Sequence, residues 1–240
     1  MASNASTLPP NQDMLQDLLH VLSQPLTTLH CALEHSLEAD EAAQANDVAL
    51  ALEQTDRVIE AVRLMREYLE AEEGSFLAEP FPLGLAVENV LEQLSVLAEA
   101  RGVLLFACGA SKAAIPVKGV WVQRVLLYLF VLLVESAPSG RAIVVVLEDG
   151  STHSVISGHS LPAKASSNGA QPGGLRANTL QQVKIAIAQR VLASSGGSVE
   201  FHSDETPGFA IRIPGTHTRC APDQLTACVF SRFGNKLSRR

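Results

Sequence analysis

The chain has 240 residues, enough for one large domain or two small ones, and its 47% hydrophobic and 18% charged content supplies a sizeable core and excludes wholesale disorder. A net charge of −7 argues against a general nucleic-acid binder, and an aromatic content of 5% argues against an aromatic-rich β sandwich. Four cysteines, Cys31, Cys108, Cys220 and Cys228, are widely spaced with no CxxC pair, so neither a zinc motif nor a disulfide framework is expected.

The opening "MASNASTLPPNQD" has neither the basic region nor the apolar stretch of a signal peptide, and residues 1–11 read as a disordered lead. From residue 12 a helical pattern begins, with Leu15, Leu19, Leu22, Leu26, Leu29 and Leu33 in a repeat close to 3.5 residues. Pro25 interrupts this helix and is expected to kink it. After a turn near Glu38–Glu41, a second pattern runs through Val48, Leu52, Thr55, Ile59, Val62 and Leu69, with Arg66 breaking the stripe. Two long helices joined by a short turn make an antiparallel hairpin over 12–73. Alone it would leave apolar surface wet, so a homodimer closing into a four-helix bundle is expected. Residues 12–79 carry 15 acidic and 3 basic side chains, giving the hairpin a negative outer face.

Residues 74–84, with glycine and two prolines in "EEGSFLAEPFPLG", read as a linker. Beyond it, "GLAVENVLEQLSVLAEARG" reads as an amphipathic helix, "VLLFACG" as a strand, "GVWVQRVLLYLFVLLVESAPSG" as a mostly apolar helix and "RAIVVVLED" as a buried strand. The apolar run at 125–134 is too short for a membrane span, which needs about 20 residues, so a buried helix in a cytoplasmic protein is expected. Residues 150–178, rich in Ser, Gly, Ala and Pro, read as a long loop. "TLQQVKIAIAQRVLASSGG" reads as a helix stopped by glycines. "SVEFHS" and "FAIRIPG" then pair as an antiparallel hairpin across "DETPG". The expected fold class is α+β: a helical hairpin over 12–73, then a sandwich of helices on one face of a mixed sheet over 85–214, with a basic tail at 215–240.

This order of parts resembles the core of a sensor histidine kinase: a dimerisation and phosphoacceptor hairpin followed by an ATPase domain of the histidine kinase, gyrase and Hsp90 type. "HVLSQPLTTL" is similar to the family's phosphoacceptor box, which places His20 on the phosphorylated histidine and Pro25-Leu26 on its Pro-Leu. "VQRVLLYLFVLLVESAPSGRAIVVVLE" and "AIAQRVLASSGGSVEFHSDETPGFAIRIP" are similar to stretches of the ATPase domain.

Every nucleotide motif departs from the family pattern. Val21 stands where the family has the carboxylate that acts as general base. Tyr128 and Leu132 stand at the two asparagines of the metal-binding helix, and no aspartate follows "VVVLEDG" in "STHSVISGHS". Leu180, Gln182 and Lys184 stand at the glycines of the phosphate loop. The resemblance therefore implies a degenerate domain that takes no cofactor and no metal, and a phosphotransferase of the pseudo-histidine-kinase type. In that reading His20 accepts the phosphoryl group and Gln24, at i+4, orients water or phosphate. The implied partners are a second copy of the chain and a response-regulator receiver domain, an upstream hybrid kinase, or both; no nucleic acid or membrane is expected. His30 and His35, which lack the proline spacing, read as surface residues. Two other readings stay open: an inert dimeric scaffold, and a divergent kinase with unorthodox nucleotide binding.

Overall fold

Alternating and helical periodicities divide the described residues into five helices and seven strands. In a computed structural model, residues 11–37, 41–74, 76–162, 178–202 and 208–214 are described. The elements are α1 (Asn11–Ser36), α2 (Glu41–Glu73), β1 (Leu77–Pro82), α3 (Leu83–Arg101), β2 (Leu104–Gly109), β3 (Ala114–Val117), α4 (Gly119–Ser136), β4 (Arg141–Asp149), β5 (His153–Pro162), α5 (Thr179–Ser194), β6 (Ser198–His202) and β7 (Gly208–Pro214). They fall into two units, one of residues 1–73 with 177–186, the other of 74–176 with 187–240.

In the first unit α1 and α2 pack as a hairpin. The stripe that α1 buries is Met14, Leu18, Pro25 and Ala32. The seam read from the sequence is offset from this by one position. Leu19, Leu26 and Leu33, at seven-residue intervals, remain exposed, Leu19 to 53%. The same holds on α2: Ala51, Gln54, Ala61, Leu64 and Tyr68 are buried, while Val48, Leu52, Ile59, Val62 and Leu69 are exposed, Ile59 to 60%. The buried positions mix small residues (Ala32, Ala51, Ala61) with Leu18, Leu64 and Tyr68, while a further stripe of large apolar residues on each helix stays exposed. At the turn end His35 Nδ1 pairs with Asp47 Oδ2 at 2.7 Å, which gives His35 a partner across the hairpin.

The second unit is a five-stranded mixed sheet in the order β2-β4-β5-β7-β6. β2 and β4 are parallel and the remaining pairs antiparallel, with β6 and β7 pairing as the sequence predicts. Period-2 burial gives the sheet one covered face, carrying Ile143, Val145, Leu147, Ile156, Phe209 and Ile211. Against this face packs an apolar stripe of α3 (Leu83, Val87, Val90, Leu94) and much of α4. α4 is long and apolar enough to cross a membrane by composition, yet ten of its side chains are buried. α3 ends at Gly102, whose φ of 64° is left-handed; its N–H reaches the Glu99 carbonyl while Val103 N–H reaches that of Ala98, closing the helix terminus.

Two expectations are corrected. The stretch read as linker contains β1, which pairs antiparallel with β3 in a separate two-stranded sheet. Prolines at 80, 82 and 116 disguised both strands, and a two-stranded ribbon accommodates proline because each strand has a free edge. The stretch read as a loop from 150 contains β5, which lies in the middle of the sheet between β4 and β7. Its serines and glycine obscured the alternation of buried Ser154, Ile156, Gly158 and Ser160 with part-exposed neighbours. The rest of that stretch, the lead at 1–10, the tail at 215–240 and the turn at 38–40 lie outside the described residues.

Candidate functional site

The local chemistry of α1 is set by Pro25. It has no N–H, so the Val21 carbonyl loses its helical donor. Three hydroxyls nearby donate back to carbonyls four residues earlier: Ser23 Oγ to Leu19 at 2.8 Å, Thr27 Oγ1 to Ser23 at 3.0 Å and Thr28 Oγ1 to Gln24 at 3.1 Å. Back-bonding of this kind loosens and bends a helix. Pro25 itself is buried in the hairpin.

His20 and Gln24 lie in this segment and both are exposed. Their i,i+4 spacing puts them on one helix face, and exposed Asp17 joins them at i−3. Val21 is partly buried beside them. An imidazole, an amide and a carboxylate thus share an open surface that a docking partner can reach. The chain neighbour of His20 is Val21, so no carboxylate stands beside the histidine in sequence; the i−3 spacing of Asp17 is the signal that places one on its face. His30 is exposed and lies 3.5 Å from Glu34 one turn on.

In the second unit Tyr128 and Leu132 are both buried on α4. Elsewhere in the same core Phe130 and Phe209 stack at 5.5 Å, and a Cβ on Gly158 would lie 2.6 Å from Leu133 Cδ1 and 3.2 Å from Phe209. Gly158 is therefore the residue that lets β5 approach α4 this closely. A cavity bounded by Leu83, Val125, Leu126, Val191 and Ile211 among others measures about 10 Å³, at most the room of one water, and its lining is apolar.

In the first unit Leu180, Gln182 and Lys184 all lie inside α5. The Gln182 N–H is bonded to the Asn178 carbonyl at 2.9 Å. Ahead of it, Gln181 N–H donates to Asn178 Oδ1 and Asn178 N–H donates to Gln181 Oε1, both at 2.9 Å. This reciprocal capping box satisfies donors that a phosphate loop would leave pointing outward. Lys184 Nζ lies 2.9 Å from Glu60 Oε1 on α2. Burial alone would raise the Glu60 carboxyl, but Lys184 and then Arg63 hold it below its ordinary value.

A different polar cluster, not anticipated from sequence, closes one end of the sheet. Asp149 accepts hydrogen bonds from Ser111 Oγ at 2.5 Å, Lys112 N–H at 2.8 Å and Ser154 Oγ at 2.7 Å. It pins the segment before β3 to the β4–β5 turn and is a structural clasp. Among the described residues no three His, Cys, Asp or Glu side chains gather as a metal site.

No known family model matches the sequence, and no curated protein matches it. Solved structures do match in fold. The Acinetobacter baumannii histidine kinase AdeS aligns with a TM-score of 0.62 at 16% identity, over 82% of this chain and 98% of that one. The histidine kinase ThkA, solved in complex with the response regulator protein TrrA, aligns with a TM-score of 0.65 at 15% identity, over 85% of this chain and 61% of that one. Full-length ShkA in complex with AMPPNP aligns with a TM-score of 0.55 at 13% identity, over 86% of this chain and 46% of that one. The helical region followed by an α/β sheet domain is thus the fold of histidine kinase structures.

Proposed function

We propose that a chain with this fold works in two-component signalling as a phosphotransferase, passing a phosphoryl group between His20 and the receiver-domain aspartate of a response regulator without binding ATP. The observation that carries the reading is the contrast between its two functional regions. His20 is exposed with Gln24 and Asp17 on one face of a proline-loosened helix, while Tyr128 and Leu132 are buried in a close-packed core. That ThkA is described in complex with a response regulator supports a receiver domain as the partner.

In the transfer, an imidazole nitrogen of His20 attacks phosphorus as the acyl phosphate P–O bond of the aspartate breaks, leaving a free carboxylate and a phosphohistidine. The ring gains positive charge as the N–P bond forms, and a carboxylate on the same face stabilises it. Asp17 is assigned that role and Gln24 the positioning of phosphate oxygens or of a water. Asp17→Asn is expected to slow transfer by about tenfold to a hundredfold while receiver binding persists.

The acting species is a homodimer in this proposal. The exposed leucines of α1 and the apolar stripe of α2 supply its interface, closing a four-helix bundle. The same stripes favour a second reading, a dimeric scaffold that binds a kinase or regulator and performs no chemistry. The two separate on one experiment. Purified protein is incubated with phosphorylated receiver domains from the same genome and assayed for acid-labile label. Label that disappears in His20→Ala supports the phosphotransferase. Absence of label from every receiver that binds the protein leaves the scaffold. Saturable ATP binding by the purified chain would overturn both in favour of a divergent kinase.

A further inference from the structure

Most histidines among the described residues have an evident occupation. His30 pairs with Glu34, His35 with Asp47, and His153 Nδ1 lies 3.0 Å from Thr152 Oγ1. His20 is the proposed phosphoacceptor. His159 and His202, both in the second unit, are partly buried, yet neither has a hydrogen-bond or ion-pair partner among the described residues. Polar ring nitrogens withdrawn from water and left unpaired call for a ligand.

Strand register sets these two rings on one line. His159 of β5 pairs with Gly208 of β7, and Gly208 pairs in turn with His202 of β6. Directly opposed residues share a face, so the three lie side by side across the sheet. Their neighbours Gly158 and Phe209 point into the core, which puts this line on the face of the sheet away from α4. The middle residue has no side chain. The α-carbons on either side of it are two strand spacings apart, about 9.6 Å. Two imidazoles with a metal ion between them span such a gap at nitrogen–metal distances of about 2.0–2.1 Å. His159 leans over the gap, since a Cβ on Gly208 would lie 2.9 Å from its Nδ1. The charge of His202 is felt there too: after burial, it is what lowers the His159 pKa, so that ring is neutral and has a lone pair to give. Glu200, on the same face of β6, is engaged by Arg212 at 3.4 Å.

We propose that His159 and His202 form a two-histidine site for a divalent metal ion of the zinc and copper class, each giving one ring nitrogen across Gly208. Imidazole suits that class, whereas magnesium and calcium take oxygen ligands. No third His, Cys, Asp or Glu side chain gathers with the pair among the described residues, so water or an outside donor completes the coordination. The bound ion ties β5 to β6 over β7. It sits across the sheet from buried Tyr128 and Leu132, and so is independent of the nucleotide positions.

The full chain, with nitrogen-15 in its histidine rings, is titrated with zinc at about pH 7.5, where unperturbed imidazoles are neutral. A metal buffer fixes the free zinc concentration, so thiols elsewhere in the chain do not compete. His159→Gln and His202→Gln assign the two rings. The expected result is a coordination shift of one nitrogen in each ring, at a single shared midpoint. In His202→Gln the His159 midpoint should move to about a hundredfold higher zinc, and conversely, because the second donor acts at high effective concentration. Separate midpoints in the parent, unchanged midpoints in the variants, or no shift in either ring overturn the proposal. Hydrogen exchange gives a second reading that needs no substitution. Zinc at about ten times its midpoint should slow exchange of β6 amides by about tenfold, with the opposite edge strand β2 unchanged. Equal β6 exchange with and without zinc overturns the proposal.

Discussion

Single side chains decide where this molecule is sensitive to pH and to substitution. Glu60 is held below its ordinary pKa in the fold, because Lys184 and Arg63 outweigh the effect of burial. A carboxyl depressed on folding contributes stability that is complete above the unfolded value of 4.5 and is lost as pH falls through the lower folded value. Lys184→Met should therefore flatten the acid limb of stability below pH about 4.5, as read from denaturant midpoints at several pH values. His159 behaves in the opposite chemical sense. Burial first, and then the charge of His202, lower its pKa from 6.5, so the fold favours the neutral ring. Its protonation costs stability progressively as pH falls below about 6.5, and His159→Gln should remove that slope. Asp149 is a third case. Asp149→Ala strands the buried Ser154 hydroxyl and two further donors, and is expected to destabilise the second unit by about 1–3 kcal/mol in chemical denaturation.

Elements show why parts of the structure were legible in the sequence and others were not. Helices α1 to α5 announce themselves through periodicity and glycine stops, and β4 through its run of β-branched residues. β1 and β3 carry prolines, and β5 carries serines, histidines and a glycine, so composition spoke for loops while pairing made strands. Strand identity there is enforced by neighbours and not by local propensity. The leucine stripe of α1 was plain, but which side of it faces α2 depends on a packing choice that periodicity leaves open. The proposal for His20 rests on its Pro-Leu context in the sequence, whereas Asp17 enters only through the shared helix face. At this scale two substitutions have defined outcomes. Asn178→Ala opens the capping box of α5 and should cost about 1 kcal/mol. Pro25→Ala restores a helical hydrogen bond to the Val21 carbonyl and should raise the thermal midpoint of the hairpin, an interior helical proline costing up to about 3 kcal/mol.

For the whole molecule, the proposed homodimer would bind the folding of the hairpin to association through its exposed stripes. Leu19, Leu26 and Leu33 on α1 and Leu52 and Ile59 on α2 are the residues whose conversion to charge should produce a monomer. The double variant Leu26→Glu/Ile59→Lys is expected to sediment as a monomer where the parent sediments as a dimer, with the circular dichroism of the second unit retained.

The close approach at Gly158 constrains how this core can vary. A Cβ there would lie 2.6 Å from Leu133 Cδ1 and 3.2 Å from Phe209, so a side chain at 158 needs room that those two residues occupy. Shrinking Leu133 or Phe209 first opens a cavity, and enlarging residue 158 first makes a collision. Each single step is unfavourable until the other is present. Positions 158, 133 and 209 therefore behave as one unit of inheritance, free to change together and held fixed when taken singly.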